Sequence, residues 1–180
     1  MPRPRDPEVG QAIDEATIRL LAQRGLAGVT VEGVAAEAGV ARTTVYRRYD
    51  GIGDMVAAAV ERSLPLLEPP EAANDRHAWR QVVESLRAAV FETSGGLPLL
   101  AALLVAKEDE PELLDLWRAQ VVAGRVEMIA HRFGWSPPRA RQLAELALGG
   151  LVAGFISRGD VTEERARQLA DLLWEGLVRS

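Results

Sequence analysis

Apolar residues recur at helical spacing along most of the chain, and no stretch stands out with the two-residue alternation of a strand. The pattern predicts a first helix from about Pro7 to Arg24, with Asp6 as its cap, Pro7 at the tolerated first position, and Ile13, Ala16, Leu20 and Leu21 facing inward. Thr30 can cap a second helix whose inward positions are Val34, Ala35 and Ala38. Glu32 then falls in its first turn, where unpaired amide donors favour negative charge. After Gly39 comes a third short helix with Val45 inward, and a fourth begins after Asp50 with Met55, Val56, Ala59 and Val60 inward. That helix must end or bend near Pro65, and Pro69-Pro70 marks the passage to the rest of the chain.

The remainder also reads as helices. One starts at Asp75 or its neighbour and runs to about Thr93, carrying Trp79, Val82, Val83, Leu86, Val90 and Phe91; Ser94-Gly95-Gly96 breaks it. A short apolar helix covers Leu97 to Lys107, and a single long one is expected from about Glu112 to Phe133, presenting Leu113, Leu116, Trp117, Val121, Val122, Val126, Met128 and Ile129. Ser136 and Pro137-Pro138 open a helix reaching about Ser157, and Thr162 caps the last, with Glu163 and Glu164 in its first turn.

The segment from Thr30 to Tyr49 carries the chemistry. Gly39 can take positive backbone angles without a side-chain penalty, and the small Ala35, Ala38 and Ala41 allow two short helices to cross closely. Thr43, Thr44, Arg47 and Arg48 can then lie outward, with Tyr46 straddling the two environments. Hydroxyls and a phenol suit phosphate oxygens, and an arginine can form a bidentate bond to guanine. Residues 40 to 49 hold three positive charges and no negative one. Residues 1 to 49 balance at +1 and residues 50 to 180 at -6, so positive charge is local on a chain of net charge -5. Three nearby arginines also suit a plain solvated helix face; their place directly after the glycine turn favours DNA.

In order and spacing, Gly25, Thr30, Val34-Ala35, Ala38-Gly39-Val40, Thr44-Val45-Tyr46 and Arg48-Tyr49 resemble the DNA-binding domain of the tetracycline-repressor family of bacterial regulators, over residues 10 to 60. The resemblance implies an all-α fold: a three-helix helix-turn-helix DNA-binding domain over residues 1–52, joined to a helical effector-binding and dimerisation domain over 53–180. It implies that Thr43, Thr44 and Tyr46 contact DNA and that Tyr49 closes the small domain. The chain departs from the family in two places: Arg48 stands where a histidine is usual, and Gly51-Ile52-Gly53 replaces a run whose lysine meets a phosphate. Arg42, Arg47, Arg48 and the arm residues Arg3 and Arg5 are the candidates to supply that affinity, and the fourth helix can still aim amide groups at a phosphate.

Composition narrows the function further. There is no cysteine, so disulfides and thiolate metal sites are excluded, and the only histidines are His77 and His131. No serine-centred elbow or phosphate loop is present, and Gly149 to Gly154 lies in an apolar helix pattern without a lysine, so no enzyme, cofactor or metal is expected. The acidic run Glu108 to Glu112 reads as a charged turn entering a helix. No signal peptide is evident and the apolar run Leu97 to Ala106 is too short to span a bilayer, which suggests a soluble cytoplasmic protein without a membrane partner.

The last two helices are rich in apolar residues. Leu143, Leu146, Ala147, Gly150, Leu151 and Gly154, with Leu169, Leu173, Trp174 and Leu177, are expected to form the homodimer interface, since the resemblance implies a four-helix contact between symmetry mates. Two-fold symmetry would match a pseudopalindromic double-stranded operator. The resemblance also implies a small-molecule site in the second domain, for which Trp79, Phe91, Trp117, Met128 and Phe155 are candidate linings. A small, mainly apolar effector would suit them, with Arg87, Arg118, Arg125 or His131 able to pair with a carboxylate. The expected function is a sequence-specific DNA-binding regulator, a repressor by resemblance. The alternative is a helical dimeric protein- or ligand-binding module that has lost DNA binding.

Overall fold

The computed structural model describes residues 7–63, 72–109 and 111–178, without the side chains of 105–109, 120, 177 and 178. Among the described residues there are ten α-helices: α1 (Pro7–Arg24), α2 (Val31–Glu37), α3 (Arg42–Tyr46), α4 (Ile52–Ser63), α5 (Asp75–Phe91), α6 (Gly96–Asp109), α7 (Pro111–Trp117), α8 (Ala123–Phe133), α9 (Pro137–Arg158) and α10 (Glu163–Leu173). The chain is all-α. The caps follow the side-chain chemistry: Thr30 accepts from the amide of Gly33 at 3.0 Å, Asn74 from His77 at 2.9 Å, and Thr162 from Arg165 at 3.3 Å. Asn74, the neighbour of Asp75, is therefore the cap of α5. Ser136 makes no such bond, and α9 starts on Pro137 at a position that needs no amide donor. Asp6, Pro65 and Pro69-Pro70 lie outside the described residues.

The helices gather into two compact units. The first comprises residues 1–65 with 93–121, and the second 66–92 with 122–180. In the first unit α1 is the central helix, packed by α2, α4 and α6. Neighbours on several sides explain why Ile13, Ala16, Thr17, Ile18, Leu20 and Leu21 are all buried, more than one helical stripe would be. Thr17 survives there because its hydroxyl donates to the carbonyl of Ile13 at 2.8 Å. From α4, Met55, Val56, Ala59 and Val60 close the core. Truncating a side chain as fully buried as Ile13 or Met55 to alanine costs about 2–5 kcal/mol.

The second unit packs α5, α8, α9 and α10 around Trp79, Val83, Ile129, Leu143, Ala147, Leu151, Ala166 and Ala170. Both guanidinium bonds of Arg80 fall on the Asp171 carboxylate, at 2.8 and 2.7 Å. Arg76 adds one to Asp171 at 2.9 Å and one to Glu175 at 2.7 Å, tying α5 to α10. These bonds, Arg80 foremost, hold the Asp171 carboxyl below its ordinary range.

The single long helix expected over Glu112 to Phe133 is instead divided. Between α7 and α8 the backbone widens into π spacing over Arg118–Val122. The widened turn falls where the chain leaves the first unit, in which Val121 is buried, and enters the second, in which Val126 is buried.

Candidate nucleic-acid interface

Gly39 has φ of 67°, and a side chain built there would meet nothing, so it is the backbone angle rather than space that requires glycine. The amide of Val40 returns to the carbonyl of Ala35 at 2.9 Å, fixing the turn from α2 into α3. Val45 is the buried anchor of α3, and Arg19 of α1 holds Glu37 of α2 at 3.0 Å.

This anchoring sorts the sequence candidates. Arg42, Thr43, Tyr46 and Arg47 share the exposed side of α3 and its end, with Tyr46 at 59% exposure despite its ring, while Thr44 is half-buried. Arg42 donates to Glu32 at 3.2 Å, and that bond, after a backbone hydrogen bond, keeps the Glu32 carboxyl below its ordinary range. Both partners are exposed, so a phosphate can take the guanidinium over with little loss. Arg48 is placed differently. It is half-buried and leans over α1, where a Cβ on Gly10 would stand 3.4 Å from a guanidinium nitrogen. Ile52 is exposed at the start of α4, and the carboxylate of Asp54 in that first turn accepts from the amide of Asp50 at 3.1 Å. Arg3 and Arg5 lie outside the described residues.

Behind α3, Tyr49 closes the unit with its hydroxyl as well as its ring. The hydroxyl donates to Asp14 at 3.0 Å, and Arg62 of α4 donates to Asp14 at 2.5 Å and to the Tyr49 oxygen at 3.1 Å. Burial raises the Tyr49 phenol above its ordinary value, so it remains a donor. Neither Asp14 nor Arg62 stood out in the sequence, because their pairing spans 48 residues. These three residues floor a cleft of about 700 Å³ contained in the first unit.

The remaining candidates fall in several places. Leu143, Ala147, Leu151 and Gly154 are buried within the second unit; Leu169, Leu173 and Trp174 pack against that core. Gly150 faces α10 of the same chain, since a Cβ there would stand 2.8 Å from a Leu169 methyl. The side chain of Leu177 lies outside the described ones. Leu146 is 44% exposed and begins a stripe that continues through Gly149, Ala153 and Ile156, the last 77% exposed, with Leu172 of α10 at 70%. The periodicity alone could not assign which of two adjacent stripes on α9 faced the chain's own core.

Of the aromatic candidates, Trp79 is fully buried against Phe133 at 6.1 Å and Trp135 at 5.8 Å; Phe91 and Phe155 meet at 5.2 Å; Met128 packs on the same core. Trp117 belongs to the first unit, so these five do not line one pocket within one unit. Trp135 was missed, its partner being a neighbour two residues back, Phe133, stacked at 4.4 Å. Among the candidate carboxylate partners, Arg87 is buried and already donates to Glu84 at 2.8 Å, Glu92 at 2.5 Å and the carbonyl of Val161 at 3.3 Å. Arg118 pairs with Asp115 at 2.8 Å. Among the described residues no group of three or more histidine, cysteine, aspartate or glutamate side chains is placed to hold a metal, and no helix is long and apolar enough to cross a membrane.

A glycine-turned helix pair with an exposed, cationic second helix defines a helix-turn-helix protein, and the comparisons agree. Residues 13–59 match the model for bacterial regulatory proteins of the tetR family. Proteins of Mycobacterium bovis and Mycobacterium tuberculosis, each described as an uncharacterized HTH-type transcriptional regulator, are 31% identical over 116 residues, which is 64% of this chain. The chain spans 56% of the length of those curated relatives. A solved member of the TetR family from Streptomyces coelicolor A3 is 25% identical with a TM-score of 0.65, covering 93% of this chain and 98% of its own. The multidrug binding protein EbrR, solved with imidazole, is 26% identical with a TM-score of 0.54, over 96% of this chain and 93% of its own. Over residues 13–59, which hold the helix-turn-helix, the chain is thus similar to bacterial regulatory proteins of the tetR family.

Proposed function

We propose that the chain is a dimeric, sequence-specific DNA-binding transcriptional regulator, released from a pseudopalindromic operator by a small, mainly apolar effector. The observation that carries the reading is the exposed set Arg42, Thr43, Tyr46 and Arg47 on a helix anchored from behind by Val45. Inserted in a major groove, Arg47 and Tyr46 reach base edges or the adjacent backbone, Thr43 a phosphate, and Arg42 exchanges Glu32 for a phosphate. Thr44 sits at the edge of that face, and Arg48 acts through α1 rather than from the outer surface.

Dimerisation uses the exposed stripe of Leu146, Gly149, Ala153 and Ile156 with Leu172, one residue out of phase from the buried stripe. The spacing of three and four residues suits an antiparallel or crossed helix pair, and Gly149 leaves open space for close approach. Two readers related by a two-fold axis then meet two half-sites.

The effector reading is supported by the indole nitrogen of Trp79, which is buried with no hydrogen-bond partner among the described residues, inside a cluster of four aromatic rings. An aromatic or apolar molecule with one acceptor atom would satisfy it. To act, the effector must bind the DNA-incompetent arrangement more tightly than the competent one.

Selection from random duplex DNA by the purified chain, followed by anisotropy titration over a range of salt, tests this. An enriched pseudopalindrome with salt-dependent affinity is expected. Failure to enrich any sequence from a folded dimer would replace the reading with a helical module that has lost DNA binding.

A further inference from the structure

The cleft beside Tyr49 is not used by the reading above. It is lined by Gly10, Gln11, Asp14 and Glu15 of α1, by Arg48 and Tyr49 after the reader helix, by Arg62 and Ser63 of α4, and by the turn Thr93 to Gly95. Its volume of about 700 Å³ is ample for a metabolite-sized molecule. The turn is held close: a Cβ on Gly95 would stand 2.6 Å from the Ser63 hydroxyl, and Thr93 donates to the carbonyl of Ser63 at 3.4 Å. The cleft wall is thus built from residues far apart in sequence and fixed by hydrogen bonds.

Charge within the cleft is balanced and segregated. Two guanidiniums, Arg48 and Arg62, and two carboxylates, Asp14 and Glu15, line it. Asp14 is occupied by Tyr49 and Arg62 at the floor. Arg48 leans over Gly10 at one end. At the other, Glu15 accepts from Gln11 at 3.1 Å and from the Ser94 hydroxyl at 3.2 Å and pairs loosely with the part-exposed Arg19 at 3.8 Å, contacts that a ligand can displace. Gly10 and Glu15 are five residues apart on α1, roughly 7–8 Å along its axis.

We propose that this cleft is a second small-molecule site, for a linear zwitterion carrying a carboxylate and an ammonium at opposite ends of a short aliphatic chain. A ligand with one sign of charge gains at one end and is repelled at the other; a zwitterion of matching length gains at both. Its carboxylate meets Arg48, with the half-exposed Arg62 alongside, and its ammonium meets Glu15. The methylenes lie over the Gly10 side of α1 and against Gly95.

Calorimetric titration of the full chain without DNA, with ε-aminocaproate as probe, tests the proposal independently of DNA binding. Millimolar or tighter binding is expected, with caproate and hexylamine each about 10-fold weaker, the size of effect of one charge-assisted bond. Glu15→Gln and Arg48→Gln should each weaken the zwitterion by about the same factor, and circular dichroism checks that both remain helical. Absence of binding to the folded wild-type chain overturns the proposal. Equal binding of caproate overturns it in favour of an anion site, and binding indifferent to both substitutions overturns it by placing the probe elsewhere.

Discussion

The hydroxyl of Tyr49 donates to the carboxylate of Asp14 at 3.0 Å, and each of these residues is only 6% exposed. The bond joins the segment leaving the reader helix to α1, and Arg62 extends it to α4. Tyr49→Phe keeps the ring and removes the donor, so it should cost about 1–1.5 kcal/mol of stability. Asp14→Ala should cost more, about 2 kcal/mol, because it strands a buried hydroxyl and removes the partner of Arg62. Urea unfolding measures both, and a Tyr49→Phe chain as stable as wild type would show that the ring alone closes the unit.

The exposed face of α3 makes a separate prediction. Arg47→Ala and Tyr46→Ala should each lower operator affinity by about 10-fold or more, on the scale of one base or phosphate contact, without changing the unfolding curve. Anisotropy titrations at several salt concentrations distinguish the two kinds of contact. Loss of a phosphate contact reduces the salt slope, whereas loss of a base contact leaves the slope and relaxes sequence preference. Unchanged titrations would remove that residue from the contact surface.

The two stripes of α9 should respond to substitution in opposite ways. Ile156→Asp and Leu172→Glu sit on exposed positions and should split the dimer while leaving each chain folded, as sedimentation would show. Gly150→Leu drives a side chain into Leu169 of the same chain and should destabilise the subunit by about 1–3 kcal/mol. An Ile156→Asp chain that sediments as an intact dimer would place the interface elsewhere.

The Asp171 carboxylate, held by Arg80 and Arg76, has its folded pKa below its ordinary value. Its contribution is therefore complete above the unfolded carboxyl pKa, about 4, and is lost as pH falls through the lower folded value. Asp171→Asn should reduce stability at neutral pH and flatten the acid limb of the stability profile. An unchanged acid limb would show that the exposed arginines exchange Asp171 for water at no cost.

Local chemistry was legible in the chain as written. Thr30, Gly39 and Thr162 carry their roles in one side chain or one backbone angle, so capping and turn rules placed α2, the turn and α10 without reference to anything distant. Val45 as the inward residue follows from helical period, whereas Tyr46, expected to straddle the two environments, lies 59% exposed. The same rules could not foresee the widened turn at Arg118–Val122, where the chain passes from one unit to the other.

The helical class, the helix-turn-helix motif and its local positive charge were thus readable from the chain alone, because each depends on neighbours within a few residues. Tertiary structure decided the rest. It turned Arg48 toward Gly10, assembled Asp14 of α1, Arg62 of α4 and Tyr49 of the segment between α3 and α4, and chose which stripe of α9 to bury. A helix with small and apolar residues around much of its circumference offers two faces of similar hydrophobicity, and only the shape of what packs against it breaks that tie.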